Sequence, residues 1–227
     1  MITTQQMKEL EDYAESQGIS TLELMENAGK GLVEAVKKKF ELPENTRVIV
    51  FCGNGNNAGD GFVAARYFAE DFPVIVLFFG KKEKLPEEAQ RNYEKLKNPI
   101  LVMEIKNKEE LEKIHIQKEL PLLLIDALLG TGLKGEIREP MGMAMDLFNQ
   151  LEGVKVAVDI PSGINPDTGE RAEKVCEVDL IVSFHDLKAG LTSLRNKTVV
   201  VDIGIPKENS ETPKEKIGNG KVDLVIE

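Results

Sequence analysis

The run Arg47-Val48-Ile49-Val50-Phe51-Cys52-Gly53-Asn54-Gly55-Asn56-Asn57-Ala58-Gly59-Asp60-Gly61-Phe62-Val63-Ala64-Ala65-Arg66 reads as a strand, a loop of small polar residues and a helix. Val48 to Cys52 is short, apolar and rich in β-branched residues, which marks a buried strand. Phe62, Ala65 and Ala69 recur at helical spacing, so the loop is expected from Gly53 to Gly61 and the helix over 62–70. Glycine and asparagine tolerate positive φ, and a loop without bulky side chains leaves its N–H groups open. Ahead of a helix N-terminus, such a loop is a candidate anion cradle; the plainer reading is a tight turn. No Gly-Lys-Ser/Thr follows, so it is not a P-loop. The spacing Gly53-x-Gly55-x-x-x-Gly59 only approximates the dinucleotide fingerprint. The next strand, Val74 to Phe79, ends in Gly80-Lys81-Lys82, without the acid that ordinarily takes the ribose hydroxyls.

Outward from this stretch, strand and helix patterns alternate. Before it, residues 4 to 17 place Met7, Leu10 and Ala14 on one helix face, and Gly18 stops that helix. Ser20-Thr21-Leu22-Glu23 has the form of a capping box. The helix it opens is apolar on one broad face, with Glu26 and Asn27 expected on the solvated side. After it come helices over about 85–97 and 107–118, the latter with His115 expected to pack among apolar neighbours, and a strand at 100–104. Leu122 to Ile125 is a fourth strand, ending in Asp126, and Val154 to Val158 a fifth, ending in Asp159, with a helix over 139–150 between them. Leu180 to Phe184 and Thr198 to Val201 follow, and Val222 to Ile226 is a candidate edge strand. The alternation predicts an α/β fold with a mainly parallel, doubly wound sheet. No repeat, linker or composition break interrupts residues 1–227, so one domain is expected.

Composition narrows the function classes. A net charge of -10 with no basic cluster argues against a nucleic-acid partner. The N-terminus has no basic region followed by an apolar one, and no apolar run is long enough to span a bilayer, so a cytoplasmic protein without a membrane partner is expected. Cys52 and Cys176 form neither a disulfide framework nor a metal-ligand spacing, and Cys52 sits in the buried strand as a small core residue.

In open α/β sheets, ligands bind at the carboxyl ends of the strands. Three strands here end in unusual loops: Gly53 to Gly61, Asp126 to Glu136, and Asp159 to Gly163. They should open on one rim, with Asp126 and Asp159 facing one cleft. Two neighbouring carboxylates repel, and three sources of relief are open. One is a cation with oxygen ligands from Asn57, Asp126 and the Ser162 region. Another is a carboxyl with a raised pKa that works as an acid. The third is Lys188. Each aspartate also has a bland reading as a helix cap or loop brace. There is no Gly-x-Ser-x-Gly and no His/Cys cluster, so neither acyl transfer nor a zinc centre is expected.

Several blocks then resemble one family. They are Leu24-Met25-Glu26-Asn27-Ala28-Gly29, Gly53 to Gly61, Asp126-Ala127-Leu128-Leu129-Gly130-Thr131-Gly132, Val158-Asp159-Ile160-Pro161-Ser162-Gly163, Lys188-Ala189-Gly190-Leu191 and Asp202-Ile203-Gly204-Ile205-Pro206. In this order, across almost the whole chain, they are similar to the YjeF N-terminal domain family, the NAD(P)H-hydrate epimerases. Two departures are visible: Ala58 replaces the usual second glycine of the asparagine loop, and Phe184-His185-Asp186-Leu187 precedes Lys188 where a Gly and a Pro are more usual.

The resemblance implies a Rossmann-like three-layer αβα sandwich, interconversion of the R and S forms of hydrated NADH and NADPH, and a bound potassium ion. Carried over by motif, substrate binding falls to Asn56, Asn57, Ala58, Gly59, Asp60, Gly130, Thr131, Gly132, Leu133, Lys134, Gly135, Glu136 and Asp159. The potassium ligands become Asn57, Asp126 and Ser162. The family also implies a possible homodimer and coupling to a dehydratase, often fused behind this domain. For the proton traffic at the reacting carbon the first candidate is Asp159, with Lys188 as a second donor or as an electrostatic partner. The rival readings are a non-catalytic binding or protein-interaction module of the same fold, and a conventional NAD-dependent oxidoreductase, against which the missing acid after the second strand counts.

Overall fold

The computed structural model describes residues 1–117, 119–131 and 136–206. The expected strand at 222–226 lies outside them. Seven strands form one sheet: β1 (Arg47–Cys52), β2 (Val74–Phe78), β3 (Leu101–Glu104), β4 (Leu122–Ala127), β5 (Val154–Val158), β6 (Leu180–Phe184) and β7 (Thr198–Val201). Their order is β3-β2-β1-β4-β5-β6-β7, and every pairing is parallel. The chain winds outward from β1 to β3, then returns to the other side of β1 with β4. The switch point therefore lies between β1 and β4, where their following loops part and leave a crevice.

Strand β1 explains the three layers. Val48, Val50 and Cys52 point into one core, and Ile49 and Phe51 into the other. Side chains alternate across a strand, so a run apolar on both faces must be covered on both. The first core holds α1 (Thr4–Ser16), α2 (Thr21–Lys39), α3 (Asn56–Phe68) and α4 (Glu87–Glu94). The second holds α5 (Lys108–Leu111), α6 (Met141–Gln150) and the 3₁₀ segment Ala189–Lys197, with Phe148 edge-on to Phe51 at 5.3 Å. The α/β class and the parallel sheet are as expected.

Several local expectations change. Helix α3 begins at Asn56, not near Phe62, so the loop after β1 is only Gly53 to Gly55. Glycines in a helix cost about 1 kcal/mol each, but tight packing requires them here. A Cβ at Gly61 would lie 2.6 Å from the Cβ of Ala127. The helix predicted over 107–118 shrinks to the single turn of α5, and His115 is exposed rather than packed. A short, highly charged segment has too little apolar surface to hold a longer helix. At α2, Ser20 accepts from the Glu23 amide, but the reciprocal half of the box is not formed. The full capping box belongs to α1, between Thr3 and Gln6. Glu26 and Asn27 are not on a solvated side. Glu26 takes hydrogen bonds from Arg66 and Tyr67 between α2 and α3, and the Asn27 amide donates to the Ile203 carbonyl.

Candidate functional site

The strand-end loops of β1 and β4 touch at the switch point. The Gly53 amide donates to the Ala127 carbonyl, and a Cβ on Gly53 would sit 2.0 Å from the Leu128 oxygen, so only glycine fits. This contact delivers the chain to Gly55, the N-cap of α3, which supplies no side-chain cap. The first N–H groups of α3 are therefore left without a side-chain partner. They give that end a partial positive charge and free donors.

Above them lies a cleft of about 620 Å³, of the size that takes a substantial small molecule. Asn56, Asn57, Asp60, Gly130, Thr131 and Asp159 line it. Of the other described residues in the expected binding set, Ala58, Gly59 and Glu136 are not part of that lining. Ala58 turns into the core, Gly59 is held against Met25, and Glu136 is exposed away from the cleft. The positions of Ala58 and Gly59 follow from the early start of α3, which points successive residues around a helix instead of along an open loop. Gly132, Leu133, Lys134 and Gly135 lie outside the described residues.

Asp159 ends β5 in a left-handed conformation, φ 62°, which few residues other than glycine, asparagine and aspartate adopt readily. Its Oδ1 accepts from the Phe184 amide at 2.9 Å and from Lys188 Nζ at 2.6 Å. Among the described residues, Oδ2 takes no hydrogen bond, and the residue borders the cleft. Lys188 is almost wholly buried and also donates to the Phe184 carbonyl at 2.8 Å. It stands behind Asp159 and is not among the residues that line the cleft. The loop before it keeps its turn through His185, whose φ of 66° reproduces what a glycine would give there. Ile2 bridges to Lys188 from the N-terminal side, fixing that turn against the start of the chain.

Asp126 does not face the cleft; it is fully buried at the end of β4. Its oxygens accept from the Leu128 amide, the Ser162 amide at 2.7 Å and the Ser162 hydroxyl at 2.6 Å. Burial pushes this carboxyl up from its ordinary range, and the Ser162 and Leu128 hydrogen bonds oppose that shift. Ser162 Oγ also lies 3.2 Å from the Leu129 carbonyl, to which the Asn57 amide donates at 3.3 Å. Asn57, Asp126, Leu129 and Ser162 thus form one connected set of oxygen donors, with a buried negative charge and no basic side chain bonded to it among the described residues. Such a set fits a hard cation. Among the described residues, no three His, Cys, Asp or Glu side chains gather as a softer metal would need. Both cysteines are free and buried, and burial raises their thiols well above the ordinary value.

One wall of the cleft escaped the sequence reading. Helix α1 contributes Thr4, Lys8, Glu11, Asp12 and Glu15 from one face. Thr4 anchors this helix through its amide and hydroxyl to Asp167. Glu11 is half-buried, and burial raises its carboxyl, with the charges of Asp159 and Asp12 adding to that and Lys188 opposing it. Asp60 is pushed up well above its ordinary value by burial and by Asp159 and Glu11. The only sequence signal for this wall was the i, i+4, i+8 spacing of polar residues 4, 8 and 12, which any solvated helix face shares.

The fold and the crevice define a doubly wound α/β protein with its ligand site at the switch point. The family described as YjeF-related protein N-terminus matches residues 21–190, and the chain belongs to that family. A protein of Archaeoglobus fulgidus named bifunctional NAD(P)H-hydrate repair enzyme Nnr is 39% identical over 91% of this chain, which spans 42% of it. The chain thus spans about two-fifths of the bifunctional relatives it matches. A protein of Nitrosopumilus maritimus named NAD(P)H-hydrate epimerase is 34% identical, with 92% of this chain and 98% of that one aligned. The crystal structure of yeast ynu0, YNL200c, matches the fold with a TM-score of 0.74 at 24% identity, over 89% of this chain and 87% of that one.

Proposed function

We propose that this chain is an NAD(P)H-hydrate epimerase, interconverting the R and S forms of hydrated NADH and NADPH. The observation that carries the reading is the state of Asp159. One carboxylate oxygen is locked by Lys188 and Phe184, and the other borders a cleft beside the uncapped N-terminus of α3. The full-length likeness to the Nitrosopumilus maritimus epimerase supports it.

In this reading the α3 N-terminus and the Gly130–Thr131 backbone receive the phosphates, because free N–H groups and the helix dipole favour anions. The reacting carbon bears a hydroxyl beside the ring nitrogen. Inversion proceeds by loss of that hydroxyl and return of water on the other face. Asp159 handles a proton at this carbon, and Lys188 holds its carboxylate in place through Oδ1. A potassium ion, held by Asn57, Asp126 and Ser162, would supply the positive charge that the buried Asp126 lacks. These residues hold the β4 and β5 loops in register, since Ser162 ties Asp126 to Leu129.

A dehydratase, the class of reaction that consumes one epimer, is the functional partner, and a homodimer is the assembly we place with it. A reducing, cytoplasmic setting suits the two free cysteines. Among the described residues no helix is long and apolar enough to cross a membrane. Incubation of the protein with purified R-hydrate, followed by chromatographic separation of the epimers, should yield the equilibrium mixture far faster than the uncatalysed control. A time course that overlays the control overturns the proposal.

A further inference from the structure

We propose that Glu11 is a second catalytic residue of this site, the carboxyl group that serves one face of the reacting ring while Asp159 serves the other. The inference rests on the epimerase reading. It concerns α1, which precedes the stretch matched to the family.

Inversion at one carbon needs an oxygen to leave from one face and another to arrive at the opposite face. A single fixed group reaches only one of them. Asp159 is fixed, because its left-handed backbone and its two hydrogen bonds on Oδ1 leave only Oδ2 for the cleft. Lys188 cannot serve the second face, since it stands behind Asp159 and outside the cleft lining. The second group must come from another element. Glu11 meets that condition: it is half-buried on α1, lines the cleft, and takes no hydrogen bond among the described residues. The charged groups around it are Lys188 and Asp159 from the strand-end loops, Asp60 from α3, and Lys8, Asp12 and Glu15 on its own helix. Burial and the two nearby aspartates, Asp159 and Asp12, favour its protonated form, as an acid requires. Asp60 is the nearest rival, but it projects from α3, the helix whose free N–H groups suit the phosphates.

The step balances. The carbon–oxygen bond breaks with its electron pair leaving on oxygen. That oxygen takes the proton of the Glu11 carboxyl and departs as water. The lone pair of the ring nitrogen forms a second bond to carbon, leaving a cation between carboxylates that stabilise it. Water adds to the opposite face, its electron pair forming the new carbon–oxygen bond and its proton passing to Asp159. Nothing is oxidised. Glu11 ends ionised and Asp159 protonated, which is the arrangement that runs the reverse epimerisation. Exchange with solvent resets it.

The test compares wild type, Glu11→Gln, Glu11→Asp and Asp60→Asn in steady-state conversion of purified R-hydrate. Glutamine keeps the volume and the helix propensity, so the fold survives. The expected result is a fall in kcat of about 100-fold or more for Glu11→Gln with KM nearly unchanged, partial recovery in Glu11→Asp, and a smaller loss in Asp60→Asn. A kcat for Glu11→Gln within about fivefold of wild type, or a loss confined to KM, overturns the proposal. So does a larger kcat loss in Asp60→Asn than in Glu11→Gln. An inactive wild type overturns the epimerase reading and this inference with it, whereas an active wild type beside an active Glu11→Gln overturns this inference alone.

Discussion

The ends of β4 and β5 carry the same sequence signal, an apolar run closed by an aspartate, and they are neighbours in the sheet. Their carboxylates nevertheless live by different means. Asp126 is sealed in and satisfied by two backbone amides and a hydroxyl, without a basic partner among the described residues. Asp159 borders the cleft and leans on a buried lysine. A buried charge needs either a counter-charge or several oriented dipoles, and each aspartate has a different one. The difference teaches that strand-end position alone does not assign a role. What counts is which charge neutralises the carboxylate and which of its oxygens is left over.

The sharpest way to break this contrast is Asp159→Asn. Asparagine tolerates the left-handed backbone and its amide oxygen can still accept from Lys188 and the Phe184 amide, so the variant should fold, at some cost in stability, while losing the charge. Epimerisation should fall by about 10²- to 10⁴-fold. A rate within a few-fold of wild type would sink the assignment. Next in size is Lys188→Met, which removes the counter-charge and leaves the Asp159 carboxylate and the Phe184 carbonyl without their donor. Breaking a buried pair costs about 3 kcal/mol or more, to be read from urea denaturation at neutral pH. A loss below about 1 kcal/mol would mean that Asp159 does not depend on the lysine. The smallest effect is reserved for Asp126. Wild type should melt higher in potassium than in a choline salt, by about 1.4 kcal/mol at ten times the dissociation constant. Asp126→Ala should lose that increment, and a variant that keeps it rules the ligand out.

Much of the architecture was legible because it rests on patterns that leave a strong mark. Strands apolar on both faces, alternating with helices, allow few arrangements other than a covered parallel sheet. The approximate place of the site followed from the three strand-end loops. What could not be read depended on distant contacts. The helical start at Asn56 was hidden because its glycines are paid for by packing against residues distant in the chain, Gly61 against Ala127 and Gly59 against Met25. Glu26 and Asn27 looked solvated because their partners, Arg66 and Ile203, lie on other elements. Apart from the family resemblance, which gave them different roles, the residues alone left Asp126 and Asp159 alike until Ser162 and Lys188 were placed beside them. Glu11 left no signal at all, since a carboxylate on a helix face is ordinarily just solvated.

The bonds that seat α1 also set an order of assembly. Thr4 meets Asp167 across 163 residues, and Ile2 meets Lys188 still further on. During synthesis at about 5–20 residues per second, α1 emerges before these partners and waits on the order of ten to thirty seconds for them. The sheet from β1 to β5 can pair in the meantime, whereas the cleft closes only when the last loops arrive. A nascent chain stalled before Asp167 would therefore carry most of the scaffold but an unfinished wall, and α1 would be its most protease-sensitive segment.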